Sequence, residues 1–274
     1  VSSSDVENAE RVEELDRGED AVVAMKNVSL EIKRDETFII MGLSGSGKST
    51  LIRCLLRLVE PTSGEIIING ENVTAMHKRQ LVNFRREKIA MVFQHYGLLP
   101  HRTVLQNVTF GLKLRGDEKE SRKEKAIDAL EKVGLKGWEK YYPASLSGGM
   151  RQRVGIARAL VMDAPILLMD EPFSGLDPLI RRELQDEMIH LQKEMHKTIF
   201  FVTHDLSEAL RMGDRMAIMK KGEIVQVGSP DEVIANPADD YVARFVQDER
   251  EHMRRAEEVL ARDMAGKEGA SHVS

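Results

Sequence analysis

With a single cysteine, Cys54, the chain cannot form an intrachain disulfide, and it fits a reducing compartment. Cys54 sits among leucines, where a small buried filler is expected rather than a reactive thiol. Long apolar runs are missing too. None approaches the ~20 residues that a bilayer span needs, and Val1-Ser2-Ser3-Ser4-Asp5 lacks the basic-then-apolar pattern of a leader. The chain is therefore not expected to cross a membrane by itself, and its start on Val1 rather than Met suggests a processed or trimmed form. A basic excess is also absent: 40 Lys and Arg face 45 Asp and Glu, for a net charge of −5. Binding along a nucleic-acid backbone normally needs the opposite balance, so no nucleic-acid partner is expected. What is present is 42% apolar residues over 274 positions. That suffices for a sizeable core, in one large domain or one domain plus an appendage.

The most informative stretch is Gly42-Leu43-Ser44-Gly45-Ser46-Gly47-Lys48-Ser49-Thr50. It matches G-x-x-x-x-G-K-[ST], the loop that cradles nucleotide phosphates. The apolar run at 37–41 reads as a strand before it, and 51–59 reads as a helix after it. The glycines let several backbone N–H groups converge on one anion, and the helix N-terminus adds a favourable dipole. Lys48 can reach the β- and γ-phosphates of ATP, and the Ser49 hydroxyl can ligate Mg²⁺. The bland alternative, a glycine-rich turn before a helix, does not account for the flanking pattern.

Strand texture appears at 22–32, 37–41, 65–70, 89–93, 166–169, 198–203, 216–219 and 224–227, with a tight turn at 220–223. The stretch 104–142 is charged and helix-patterned, with Ala126, Ile127, Leu130 and Val133 on one stripe. The expected fold is an α/β P-loop NTPase core. It has a largely parallel sheet, an antiparallel β portion and a helical insertion at about 103–163. The expected division is a polar lead-in at 1–20, an ATPase domain at 21–247 and a charged helical tail at 248–274.

Ile166-Leu167-Leu168-Met169 ends in two adjacent carboxylates, Asp170 and Glu171. Parallel strands deliver ligand contacts at their C-terminal ends. Asp170 is placed to hold Mg²⁺ through water, and Glu171 to polarise the water that attacks the γ-phosphate. Leu146-Ser147-Gly148-Gly149-Met150 precedes this strand. Ser147 is a good N-cap, and the double glycine exposes backbone donors at a helix start, a second anion site.

Residues 42–50, 146–150 and 166–171, in that order, resemble the ATP-binding-cassette ATPases, in which Leu-Ser-Gly-Gly is the signature. The resemblance implies a head-to-tail homodimer, in which Ser147, Gly148, Gly149 and Asp177 of one chain contact the ATP held by the other. Gln94 resembles the glutamine that contacts Mg²⁺ and water, Ser174-Gly175-Leu176-Asp177 the loop that couples the two ATP sites, and His204 the switch histidine at the γ-phosphate. Each alone has a plain reading as a surface glutamine, a helix start or a helix cap. In order, they test separate features of one architecture.

The stretches 40–48, 88–94, 146–154 and 207–215 resemble more particularly the ATPase subunits of glycine betaine/proline betaine importers. That implies permease partners in the membrane, an indirect substrate-binding protein, and a peripheral place on the cytoplasmic face of the cell (inner) membrane. Tyr96 through His101 would face the permease. Two departures stand out. Residues 248–274 are too short for the paired regulatory domains such subunits often carry, and no aromatic precedes Phe38 to stack the adenine. Asp35 stands where the family often has glycine, a position Asp can fill at positive φ. Open alternatives are another cargo (polar amino acids, organic ions, lipoprotein release) or a non-transport cassette protein acting on DNA or ribosomes. An inactive scaffold finds no support, because Lys48, Asp170, Glu171 and His204 are all intact.

Overall fold

A computed structural model describes residues 23–94, 96–251 and 254. The lead-in and most of the charged tail lie outside the described residues, as does His95. A six-stranded sheet carries the architecture. Its strands are β1 (Thr37–Met41), β4 (Ile89–Val92), β5 (Ile166–Asp170), β6 (Thr198–Val202), β7 (Arg215–Lys220) and β8 (Glu223–Gly228). The spatial order is β4-β5-β6-β1-β7-β8, parallel throughout except for β8, which pairs antiparallel with β7. The expected α/β class and largely parallel sheet are what is found. Lys221 and Gly222, both at positive φ, turn β7 into β8.

Both faces of the sheet are covered, which is why its inner strands read as unbroken apolar runs. Phe38, Ile40, Leu168, Phe200, Val202 and Met219 point to one core, against helix α1 (Lys48–Leu55). Ile39, Met41, Leu167, Met169, Phe201 and Ile218 point to the other, shared with the helices that follow β4. Phe38, Phe200 and Phe201 are essentially fully buried, each contributing about 1.5–3 kcal/mol.

Those helices are α3 (Val104–Val108), α4 (Phe110–Arg115), α5 (Lys119–Lys132) and α6 (Gly148–Leu160), after α2 (Lys78–Lys88). The expected stripe on α5 is largely correct: Ala126, Leu130 and Val133 are buried, while Ile127 is half-exposed. Helix α7 (Pro178–Met195) leads to β6, then α8 (Leu206–Met212) to β7 and α9 (Pro230–Ala235) out of β8. Residues 240–251 are helical, and most of the tail expected at 248–274 lies outside the described residues.

Three local expectations are corrected. No strand forms at 23–32; Met25, Val28, Leu30 and Ile32 pack on the first core, so their alternation reflects side-chain burial without a backbone ladder. The strand expected at 65–70 contracts to β2 (Ile67–Ile68), paired with β3 (Glu71–Asn72), because Asn69 and Gly70 both take positive φ and turn the chain early. Helix α1 begins at Lys48 rather than 51 and ends at Leu55, where Arg57 goes left-handed. Asp35 does adopt positive φ, at 61°.

Candidate functional site

The loop from Gly42 to Gly47 joins β1 to α1 at the C-terminal edge of the sheet. Gly42 has φ 149°, and a Cβ there would lie 2.3 Å from the Met219 carbonyl oxygen, so only glycine lets the loop pass β7. The loop walls a cavity of about 730 Å³ lined by Ser44 through Thr50, Gln94, Glu171, His204, and the backbone-rich rims Val23-Ala24 and Lys221-Gly222. The Gly222 N–H donates to the Ser46 carbonyl at 2.9 Å, tying the β7–β8 turn to the loop. Neither rim was read from the sequence as part of the site. Their approach is made by long-range pairing, and no local pattern announces it.

Lys48 is buried, and its Nζ donates to the carbonyls of Gly42 (2.7 Å) and Leu43 (3.2 Å). Burial pushes its ammonium below the ordinary lysine range, opposed by the charges of Glu171 and Asp170. Gly42 and Leu43 thus hold Lys48 without lining the cavity themselves. Asp170 ends β5 behind Ser49, whose hydroxyl hydrogen-bonds it. Burial, and then the neighbouring Glu171, hold the Asp170 carboxyl above its ordinary value.

Glu171 is the point of convergence. Its N–H continues the ladder to the Val202 carbonyl at 2.9 Å, and its own φ is 45°. A left-handed glutamate costs energy, of the kind that accumulates at working sites. Its Oε2 accepts from Gln94 Nε2 at 3.1 Å and lies 3.4 Å from His204 Nδ1. The hydrogen bond with His204 holds the Glu171 carboxyl below its usual range and the imidazole above its own. Glu171 is thereby a carboxylate at neutral pH, able to accept a proton.

The sign of this pairing gives a first prediction. The Glu171 contribution is present above the ordinary value of 4.5 and lost as pH falls through its lowered folded value. The His204 contribution is present below the ordinary 6.5 and lost as pH rises through its raised folded value. The Tm difference between the wild type and His204→Gln should therefore peak between those two ordinary values and shrink on either side. His204 is 60% exposed, so added salt should flatten the profile. A pH-independent difference would remove the ion pair from the account.

The sequence also pointed to Ser147, Gly148, Gly149 and Asp177, and these lie apart from the cavity lining. Ser147 Oγ accepts from the Met150 N–H (3.2 Å) and Asp177 Oδ1 from the Ile180 N–H (3.1 Å), so each caps its own helix, α6 or α7. A Cβ on Gly149 would lie 2.5 Å from Ile180 Cγ2, so glycine lets these helix starts meet. The residues after Gln94 are gripped from α6. Arg158 donates to the carbonyls of Gly97 (2.5 Å) and Tyr96 (2.7 Å), and the Arg151 guanidinium lies 5.4 Å from the Tyr96 ring centre.

The family model described as ABC transporter matches residues 25–174, more than half the chain. The chain belongs to the ABC transporter family. Among curated ABC transporter relatives, the glycine betaine transport ATP-binding protein OpuAA of Bacillus subtilis is 53% identical over 241 residues, covering 88% of this chain and 58% of OpuAA. The glycine betaine/proline betaine transport system ATP-binding protein ProV of Escherichia coli is 56% identical over 223 residues, covering 81% of this chain and 56% of ProV. The trimethylamine N-oxide transport system ATP-binding protein TmoW of Ruegeria pomeroyi is 51% identical, covering 85% of this chain and 68% of TmoW. The chain thus spans little more than half the length of OpuAA and ProV. A solved structure described as the dimeric post-hydrolysis state of the ATP-binding cassette MJ0796 bound to ADP and Pi superposes with a TM-score of 0.72 at 38% identity, over 78% of this chain and 93% of that one.

Proposed function

We propose that this chain is an ATP-hydrolysing subunit that drives a membrane permease importing quaternary amines of the glycine betaine and proline betaine kind. The observation that carries it is the convergence of Gln94 and His204 on Glu171 beside a phosphate loop and its buried lysine. The cargo rests on kinship, since OpuAA and ProV are named for betaine transport.

The residues suit Mg²⁺-ATP on physical grounds. Ser46 Oγ is buried with no hydrogen-bond partner, an orphan that a phosphate oxygen would satisfy. The Lys48 ammonium rests on carbonyls it can leave. Asp170 and Glu171 are adjacent carboxylates that a cation would relieve. Among the described residues no group of three or more His, Cys, Asp or Glu could hold a metal alone. Mg²⁺ keeps its waters and takes one or two protein ligands plus phosphate oxygens. Ser49, Gln94 and Asp170 would hold it, and it would supply charge neutralisation at the phosphates. The apolar rim at Val23 and Ala24 would receive the adenine.

In this mechanism, Lys48 and the loop amides from Ser44 to Thr50 bind the phosphates and neutralise their charge, the dominant effect in phosphoryl transfer. Glu171 orients the attacking water and accepts its proton. Gln94 and His204 hold the Glu171 carboxylate in place, His204 also reaching toward the γ-phosphate. Ser147, Gly148, Gly149 and Asp177 act on the ATP of a second copy in a head-to-tail dimer, since they lie away from their own chain's cavity. The segment from Tyr96 to His101 meets the permease. The subunit sits peripherally at the cytoplasmic face against its permease, a reading that rests on kinship with the transport ATP-binding proteins OpuAA and ProV, and a substrate-binding protein feeds the permease.

The test is to tag the chain, extract it gently from its membranes, and assay what co-purifies. A polytopic permease whose presence makes ATP hydrolysis rise several-fold with glycine betaine is the expected result. Recovery of soluble partners alone would overturn the transport role. Stimulation by trimethylamine N-oxide but no betaine would overturn the cargo.

A further inference from the structure

Glu208 on α8 is a buried carboxyl, 3% exposed, outside the cavity that holds Lys48. It makes no ion pair among the described residues. The nearby Arg181 guanidinium instead donates to Asp205 Oδ2 at 3.0 Å. An unpaired buried carboxyl is costly, and an apolar side chain would fill the space at lower cost. What the carboxyl does is hold a hydroxyl. Thr203 Oγ1, itself buried, donates to Glu208 Oε2 at 2.6 Å and accepts the Asp205 N–H at 3.0 Å. Gln185 Nε2 of α7 lies 3.4 Å from the other oxygen of Glu208. The residues on either side of His204 are therefore tied to one hydroxyl, and that hydroxyl to one carboxyl.

The tie has something to resist. A cavity of about 140 Å³ opens behind His204, with Glu171, Arg181, Thr203 and Glu208 in its walls. That side is left open by packing, so hydrogen bonds carry much of the placement of residues 203–205, with the Thr203 N–H also held by the Ile40 carbonyl at 3.1 Å.

We propose that Glu208 is a positioning residue for His204: through the Thr203 hydroxyl it fixes the backbone of residues 203–205 so that the His204 imidazole meets Glu171. The proposal rests on the reading of Glu171 and His204 as the hydrolytic pair. Burial holds the Glu208 carboxyl up at about 7, against the lowering hydrogen bond from Thr203, with Asp205 also raising it and Arg181 and His204 lowering it. Near neutrality it is an acceptor for Thr203 in either protonation state. The uncharged Gln185 amide can meet it as donor or acceptor.

The test compares Thr203→Val, Thr203→Ser, Glu208→Gln and Glu208→Ala in the full chain. Two readouts are used: steady-state ATP hydrolysis, and NMR titration of the His204 ring, assigned by its loss in His204→Gln. Thr203→Val is nearly isosteric; it removes the tie and leaves the Glu208 carboxyl and the Asp205 N–H without the hydroxyl they share. It should cut kcat about ten-fold or more with KM little changed, and shift the His204 titration down toward the ordinary imidazole value as contact with Glu171 loosens. Thr203→Ser should restore both. Glu208→Gln keeps an acceptor and should hold kcat near wild type, its His204 titration lowered only by the loss of the Glu208 charge that helps raise it, while Glu208→Ala should cut kcat as Thr203→Val does and lower the titration further than Glu208→Gln. An unchanged His204 titration in both Thr203→Val and Glu208→Ala would overturn the proposal. The ring titration needs no turnover. If the wild type hydrolysed no ATP, the catalytic reading would fall while the titration still decided the positioning role.

Discussion

Replacing Glu171 by Gln should lower ATP hydrolysis by about 10²–10⁴-fold, the usual worth of a general base, while nucleotide still binds. The geometry makes the change a narrow one. Gln has the same length, so the Gln94 Nε2 contact at 3.1 Å can persist through the remaining carbonyl oxygen. The left-handed backbone at φ 45° is no worse for Gln than for Glu. What goes is the negative charge that His204 holds ionised, and with it the ability to accept a proton. Removing that charge also relieves Asp170, whose carboxyl Glu171 pushes up. An ATP-bound dimer should therefore accumulate. Size-exclusion chromatography with Mg²⁺-ATP, run beside a turnover assay, reads both effects. Near-normal turnover in this variant would take the base role away from Glu171.

Much of the site was legible because its parts are local. Residues 42–50 form one loop, and Asp170-Glu171 ends one buried strand. Such patterns survive in sequence because the loop conformation and the strand's burial each depend on neighbours a few positions away. Gln94 and His204, each plain by itself, came from the resemblance to the cassette ATPases, and the sheet order β4-β5-β6 sets them on either side of Glu171. What was not legible was long-range. The rims at Val23-Ala24 and Lys221-Gly222 reach the phosphate loop only because the β7–β8 turn folds back on it. Glu208 is one acidic residue in a short helix, and its burial depends on α7 arriving from elsewhere. The false strand at 23–32 has the same origin: alternation reports which side chains are buried, and the sequence does not say whether a backbone partner lies alongside.

Lys48→Ala should weaken nucleotide binding by about 2–5 kcal/mol, roughly 30- to 5,000-fold in Kd. The loss exceeds that of an exposed lysine because of where the ammonium sits. It is buried within the loop, with Glu171 and Asp170 as its nearest opposing charges. Without it, two adjacent carboxylates face incoming phosphates with less to balance them, and Arg53 is the other cation whose charge acts on Asp170. Like charge then repels the ligand in a site where burial strengthens every electrostatic interaction. Lys48→Arg should not rescue binding. A planar guanidinium is larger, and its donors form a rigid fork, whereas the Gly42 and Leu43 carbonyls now share one compact ammonium at 2.7 and 3.2 Å. Thermal unfolding separates binding from folding. The wild type should gain Tm as Mg²⁺-ATP is raised, by the linkage that stabilises any ligand-bound fold. Lys48→Ala should start within a few degrees of the wild type and need at least about 30 times more Mg²⁺-ATP for the same gain in Tm. A variant that gained Tm as the wild type does would show that the loop amides and Mg²⁺ bind the phosphates without Lys48, and the charge-neutralising role would have to move to them.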